Sequence, residues 1–467
     1  MSKTSRIILR FSAAVLGILA LAAVLCLDGV DYRPYLHESY YSDALARLHA
    51  IATTNTLARG ELSAGFGRAL LTPKIGVVQD NPAKGEFRSL ALAGYGSRHG
   101  KPAQGVHDDL YVKAVALRVG GQLGIMIGAD ALIIPPEVTD LAMQRLSDEL
   151  KLSREQVYLS ATHTHASLGG WGQGVVAESF AGGFQPGARI WFADRIVSAI
   201  RDAMGDLKPA SLGQGHFAAP DYVRNRVVGQ LGTVDPEFTY VVVKQKEGKT
   251  AVLGSYAAHA TVMSSDLFQF SADYPGYWQR AVEEATGGLA VFLAGGVGSH
   301  SPAPPEKGFA GAERMGKALA KAVLDRMPDL PMTNSIAFGM LGLEFSMPPT
   351  NVRLTDGLRL RPWVARELVP VRKNSFIQAF RLGNWIWIST PCDFSGELAL
   401  GIKDSLRSEN MNAVITSFNG DYIGYVIPLK YYHLNGYEPR TMSFFGPNVP
   451  DFFDDLIRNI ALALGRE

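Results

Sequence analysis

The stretch "GGQLGIMIGADALIIPPEVTDLAMQRLSDELKLSREQVYLSATHTHASLGG", Gly120 to Gly170, decides the fold. Its first apolar run reads as a strand. Pro135-Pro136 closes that run and suits the first turn of a helix, where a missing N–H costs nothing. Val138, Leu141, Ala142, Leu146 and Leu150 then recur at helical spacing, which predicts one apolar face. "QVYLSATHTH" returns as a second strand. The same alternation continues outward. "GRALLTPKIG" is a strand entering a loop, "ARIWFADRIVSAIRDAM" a helix, and "YVVVKQKEGKTAVLGSYAAHA" two strands around a Glu-Gly turn. "ADYPGYWQRAVEEATGG" is a helix ending in glycines, and "LAVFLAGGVGSHSPAPP" a buried strand running into a loop. A helix near Gly311 to Met327, a hairpin on Leu-Gly-Asn in "NSFIQAFRLGNWIWISTPCDF" and a closing helix in "DFFDDLIRNIALAL" complete the series. The expected fold class is α/β, a mixed and mostly buried sheet covered by helices.

With 47% hydrophobic residues among 467, the chain can bury a sizeable core. Its 45 basic and 44 acidic side chains give a formal charge of +1. No basic patch with interleaved aromatics occurs, so nucleic acid is not expected as a partner. Oligomeric state is not encoded in any recognisable way. Two cysteines, Cys26 and Cys392, do not make a disulfide framework. Lys3, Arg6 and Arg10 precede an uncharged run from Phe11 to Leu27, and Asp28 and Asp31 come after it. With Ile7 to Leu9 the run approaches the ~20 residues that span a bilayer. The flanking charges predict the N-terminus inside and the bulk exported. The run is long for a signal peptide and no A-x-A site closes it, so a retained anchor is expected, with a cleaved signal and secretion as the alternative.

Most of the chemistry-bearing residues lie just beyond apolar strands, where α/β sheets collect their ligand sites. His107 stands before one strand; His163 and His165 close "SATHTH"; His259 follows "SYAA"; His300 and Ser301 follow "AGGVGS"; Asp393 follows "STPC". Five of ten histidines therefore lie at such ends. Imidazoles with a carboxylate and an open position suit a catalytic zinc ion that binds water. On a strand, His163 and His165 would point to the same face. Each histidine taken singly is as well explained by an ordinary hydrogen-bonded role. A Ser-His-Asp triad lacks the G-x-S-x-G elbow that would support it. Residues alone thus point to an exported metallo-hydrolase.

"ATHTHASLGG" closely resembles the Ala-Thr-His-Thr-His-Ser-Gly-Pro-Gly-Gly segment of the neutral/alkaline, non-lysosomal ceramidases, and the resemblance runs in order from about Gly65 to Pro447. It includes "GVHDDLYVKAVAL", Asn225-Arg226 in "RNRV", "HATVMSSDLFQFSADYPGY", "FLAGGVGSHSPA", "TPCDFSGELA", Tyr425 and Tyr437 in "GYVIPLKYYHLNGYE", and "FFGP". The resemblance implies a ceramidase-like catalytic domain that hydrolyses the N-acyl amide bond of ceramide or a ceramide-like lipid at a membrane surface. It implies Zn2+ held by His163, His259, Asp393 and Tyr425. Ser301, Arg226 and His107 are then the expected catalytic residues, and Tyr437 and His165 the expected substrate-binding ones, with His165 supporting the ligand His163.

The division expected is 1–28 as signal anchor or signal peptide, 29–60 as a lead-in, and 61–467 as the catalytic domain, without the family's C-terminal immunoglobulin-like domain. Departures are local. The family's Gly-Asp-Val-Ser-Pro-Asn is Gly298-Ser299-His300-Ser301-Pro302-Ala303, and its glutamate ligand is the shorter Asp393. Asp393 would also suit a helix N-cap, with Glu397 supplying the carboxylate instead. These changes leave two alternatives open: a non-catalytic lipid-binding relative, and a zinc esterase or amidase with another acyl substrate.

Overall fold

The computed structural model describes residues 3–54, 56–369 and 371–465. Its main elements, in chain order, are α1 (Lys3–Cys26), α2 (Ser39–Thr54), β1 (Ala58–Leu70), β2 (Tyr111–Val119), β3 (Gln122–Ala129), α3 (Pro136–Leu150), β4 (Val157–Ala161), α4 (Pro186–Gly205) and β5 (Lys208–Ala218). They continue with β6 (Glu237–Gln245), β7 (Thr250–Tyr256), α5 (Asp273–Thr286), β8 (Leu289–Ala294), α6 (Gly308–Leu324) and β9 (Ser335–Ser346). The chain ends with β10 (Asn374–Leu382), β11 (Trp385–Ser389), α7 (Gly396–Ser408), β12 (Asn412–Thr416) and α8 (Val449–Gly465).

All twelve strands join one mixed sheet in the order β8-β7-β6-β5-β1-β9-β10-β11-β12, with β2, β3 and β4 branching from β1. Most neighbours are antiparallel, but β3/β4, β7/β8 and β11/β12 run parallel. Each parallel pair is bridged by one helix, α3, α5 or α7, as a parallel connection requires. The expected alternation of strands and helices is therefore three β-α-β units set into an antiparallel frame. The sheet folds over an apolar interior, where Tyr158 of β4 meets Phe380 of β10. Helices cover its outer faces, and β4, β8 and β11, one strand of each parallel unit, are buried along their whole length.

Two boundaries differ from expectation. The helix expected near Gly311 to Met327 runs from Gly308 to Leu324, because Met327–Asp329 form a separate short turn. The strand of "QVYLSATHTH" ends at Ala161. The β10–β11 turn does use Gly383, at φ 62°, a left-handed conformation that favours glycine. Helix α2 packs against α8 through a core that includes Ala44 and Leu48, and Ala58–Glu61 already pair with β9. Helix α1 buries none of its residues and is, among the described residues, the one helix long and apolar enough to cross a membrane.

Candidate metal centre

The C-terminal ends of the three parallel units are stitched together. Ser160 Oγ donates to the Ser417 carbonyl at 2.9 Å, Ser389 Oγ to that of Leu159 at 2.7 Å, and Ser417 N to that of Ala294 at 2.9 Å. Loops leaving β4, β7, β8, β11 and β12 are thus forced to one end of the sheet. Gly298 allows one of these approaches: a Cβ there would lie 2.3 Å from the Asp393 carbonyl oxygen.

His163 and His165 reach the centre by loop geometry rather than strand alternation. His163 lies beyond the strand at φ 63°, a conformation uncommon for a residue with a side chain. Its ring stacks on Phe418, with centroids 4.1 Å apart, and its Nδ1 faces the Leu132 carbonyl at 2.6 Å. His259 Nδ1 faces the Val297 carbonyl at 3.0 Å. A carbonyl can only accept, so each Nδ1 carries a hydrogen, and each neutral ring presents a lone pair at Nε2. Those two Nε2 atoms are 2.8 Å apart. Two lone pairs at that distance repel unless a cation lies between them. Burial, followed by the charges of Arg226 and His163, holds the His259 pKa well below the ordinary imidazole range, which disfavours a shared proton.

The carboxylate completes the donor set. Asp393 Oδ1 lies 3.3 Å from His163 Nε2 and 3.6 Å from His259 Nε2. It is buried and has no hydrogen-bond partner. Oδ2 accepts from Tyr422 Oη at 2.8 Å. A short parallel ladder, Asp393–Phe394 against Tyr425–Val426, sets Asp393 beside Tyr425. Tyr425 Oη is 3.5 Å from His259 Nε2 and accepts from Arg226 Nη2 at 2.8 Å. Neutral imidazole nitrogens, an unpartnered carboxylate oxygen and a phenol oxygen are donors that fit a divalent zinc ion.

His165 stands beside His163. Its Nε2 comes within 3.3 Å of His163 Nε2, and the three histidines form a group whose ligand atoms all lie within 4.8 Å of one another. Its Nδ1 is buried without a partner. Tyr437 meets Tyr425 edge-on at 5.6 Å, and Arg226 pairs with Glu438 at 2.8 Å. His163, His165, Asp393, Tyr425 and Tyr437 border a cavity of about 20 Å³, whose lining also includes Ile133, Phe180, Tyr422 and Met442. That is room for an ion or a water. A roomier concavity of about 550 Å³ lies elsewhere, between α2 and α8.

Three expected neighbours are not brought in. His107 contacts the Tyr277 hydroxyl at 2.8 Å and stacks on Phe309 at 3.6 Å, and no described contact joins it to the histidine group. The His300 ring turns toward Gly396 and the Thr233 carbonyl. Ser301 pairs across a short ladder with Arg224, whose Nε donates to its Oγ at 3.0 Å. No described hydrogen bond links Ser301 to the histidines, Asp393 or Tyr425. The two carboxylates differ in their partners. Glu397 is taken by Lys430 and Tyr431, and the N-cap of α7 is Ser395.

Sequence reasoning missed Tyr422, Phe418 and Arg98. The first two come just after β12, a strand end that carries no histidine to draw attention. Arg98 is a buried guanidinium with no carboxylate in hydrogen-bond contact; it donates to the carbonyls of His165, Ser264, Ser265 and Leu267. Burial pushes its pKa down to about 10. A lone arginine in "GYGSRHG" gives no hint of such a role.

The family described as neutral/alkaline non-lysosomal ceramidase, N-terminal, matches residues 74–294. The neutral ceramidase of Mycobacterium tuberculosis is 26% identical over 269 residues, covering 50% of this chain and 42% of that protein. The neutral ceramidase of Pseudomonas aeruginosa is 26% identical over 237 residues, 47% of this chain and 35% of that protein. The match thus spans less than half the length of either relative. The crystal structure of the P. aeruginosa enzyme superposes with a TM-score of 0.71 at 19% identity, over 86% of this chain and 74% of that one. A ceramidase structure described as complexed with C2 gives 0.72 at 19% identity, over 86% of this chain and 75% of that one. The structural likeness is one of fold.

Proposed function

We propose that this chain, a relative of the neutral/alkaline non-lysosomal ceramidases in sequence and in fold, hydrolyses the N-acyl amide bond of ceramide or a ceramide-like lipid. The observation that carries the reading is the convergence of the His163 and His259 Nε2 lone pairs on the unpartnered Asp393 Oδ1. His163, His259, Asp393 and Tyr425 would hold the zinc ion, and His165 stands close enough to join them. When bound, zinc would polarise the scissile carbonyl and bring the pKa of a water molecule to about 7.

The side chains account for the rest. Water oxygen bonds to the carbonyl carbon, the C–N bond breaks, and the leaving amine takes a proton, giving a fatty acid and a sphingoid base. Arg226, anchored by Glu438 and Tyr425, brings a fixed positive charge toward the oxygen on which negative charge develops. His165, with an unpaired Nδ1, can pass a proton. Tyr437 stands half-exposed at the rim and covers the polar end of the substrate. Ser301 is the nucleophile that the family resemblance suggests, but its Oγ accepts from Arg224 and makes no described hydrogen bond to a base. That favours water as the attacking group. The same departure supports a second reading, in which the chain cleaves another acyl amide or ester. The apolar α1, long enough to cross a membrane or to act as a signal, supports a location outside the cell beside such lipids.

Metal content of the purified full chain, with and without His163→Ala and His259→Ala, tests the centre. Fluorescent ceramide and acyl-ester panels, with and without chelator, test the reaction. About one zinc per chain, lost in both variants, with chelator-sensitive turnover is expected. Turnover that ignores the chelator would refute the reading.

A further inference from the structure

We propose that an exposed apolar collar at the foot of α1, centred on Trp363, docks against the phospholipid bilayer that α1 enters. Helix α1 has 24 residues, which at 1.5 Å each is roughly 36 Å, enough to cross the ~30 Å hydrocarbon layer. Its C-terminal end is bolted to the body. Leu27–Gly29 pair antiparallel with Leu358–Leu360. Arg361 N donates to the Cys26 carbonyl at 2.8 Å, and Arg361 Nε to that of Leu27 at 3.0 Å. Any bilayer holding α1 therefore begins within a few residues of Arg361.

The chain just beyond Arg361 turns apolar side chains outward. The short helix Pro362–Leu368 buries Ala365 and exposes Trp363 and Leu368. Leu354 and Tyr32 are exposed on the adjoining hairpin, Leu354 within it and Tyr32 through a hydroxyl bond to the Asp356 carbonyl. Trp363 is 59% exposed, whereas the other five tryptophans are at most 6% exposed. An exposed tryptophan among exposed aliphatics is costly in water and suits the headgroup boundary, where its ring is half wetted. Arg366 is exposed on the same turn and can meet phosphate.

The collar is also tied to the metal centre. Arg353 Nη2 donates to the Pro439 carbonyl at 2.6 Å, and Arg440 Nη2 to that of Leu354 at 3.0 Å. Those bonds fix the 352–360 hairpin to the turn Tyr437–Thr441, whose Tyr437 lines the cavity above the histidines. Docking the collar sets the rim of the site at the membrane surface, where a lipid could present its amide without its chains leaving the bilayer. That consequence rests on the lipid-hydrolase reading; the docking does not.

The test uses the full chain reconstituted in phosphatidylcholine vesicles, with or without acyl-brominated phosphatidylcholine, and reads tryptophan fluorescence. Bromolipid should quench a component that Trp363→Phe abolishes, the five buried tryptophans serving as the unquenched baseline. Equal quenching in both proteins, or none in the wild type, would overturn the proposal. So would a fall in particle mass in detergent caused by Trp363→Phe, which would assign the face to a second copy of the chain. Trp363→Asp with Leu368→Asp should lower turnover of bilayer ceramide by about tenfold and leave a short-chain substrate in detergent unaffected. Absence of turnover in detergent would count against the catalytic reading alone, since the quenching reports docking independently.

Discussion

Replacing Tyr422 by phenylalanine removes one oxygen and little else. Tyr422 Oη makes one described hydrogen bond, to Asp393 Oδ2 at 2.8 Å, and its ring stays packed beside Phe418. The bond is to a buried carboxylate, so its loss costs about 1.5–3 kcal/mol, or roughly 10- to 150-fold in an equilibrium constant. Losing a partner that orients a metal-binding carboxylate typically costs about 10- to 100-fold in metal affinity or activity. The two estimates agree because they describe the same event: Oδ2 loses its fixed donor, and Oδ1 is no longer held toward His163 and His259. Zinc affinity measured by competition with a chromogenic chelator should fall by about 10- to 100-fold. Turnover at saturating zinc should fall less. The melting temperature of the metal-free protein serves as control. A zinc affinity within twofold of wild type, in a variant that folds normally, would refute Asp393 as a ligand oriented by Tyr422.

Ser301→Ala should lower kcat/KM by about 150-fold at most, the upper value of one hydrogen bond with a charged partner; a loss of about 10⁴-fold would make Ser301 the nucleophile. Arg98→Met leaves four carbonyls, including that of His165, without their donor. It should destabilise the fold by about 3 kcal/mol or more in urea denaturation, and an unchanged midpoint would contradict the clamp. Asp273 is buried and its pKa is pushed up to about 7 by desolvation. The folded state therefore holds a proton that the unfolded chain releases near pH 4, so this group makes stability fall as pH rises from about 4 to 7. Asp273→Asn should flatten that stretch of the stability profile, and an unaltered slope would show that Asp273 does not titrate there.

Periodicity made the architecture legible. Val138, Leu141, Ala142 and Leu146 announced a covered helix, and the runs before His163, His259 and Ser301 announced buried strands, because side-chain spacing is a local property of the chain. The place of His163, His259 and Asp393 just beyond strands was readable for the same reason. Convergence was not. His107 and His300 had the same sequence signature as His163 and His259, yet their rings turn to Phe309 and Thr233. Asp393 was the expected carboxylate and Glu397 the alternative, and only the folded chain shows Glu397 held by Lys430 and Tyr431.

The amino-acid order by itself determined the elements and the apolar N-terminal helix, since each depends on neighbours within a few residues. The tertiary structure alone decided which ends meet, that His165 joins His163 and His259, and that Tyr422 holds Asp393. Those outcomes depend on pairings such as β4 against β3 and β11 against β12, and on serine bonds between the loops, which link residues far apart in the chain.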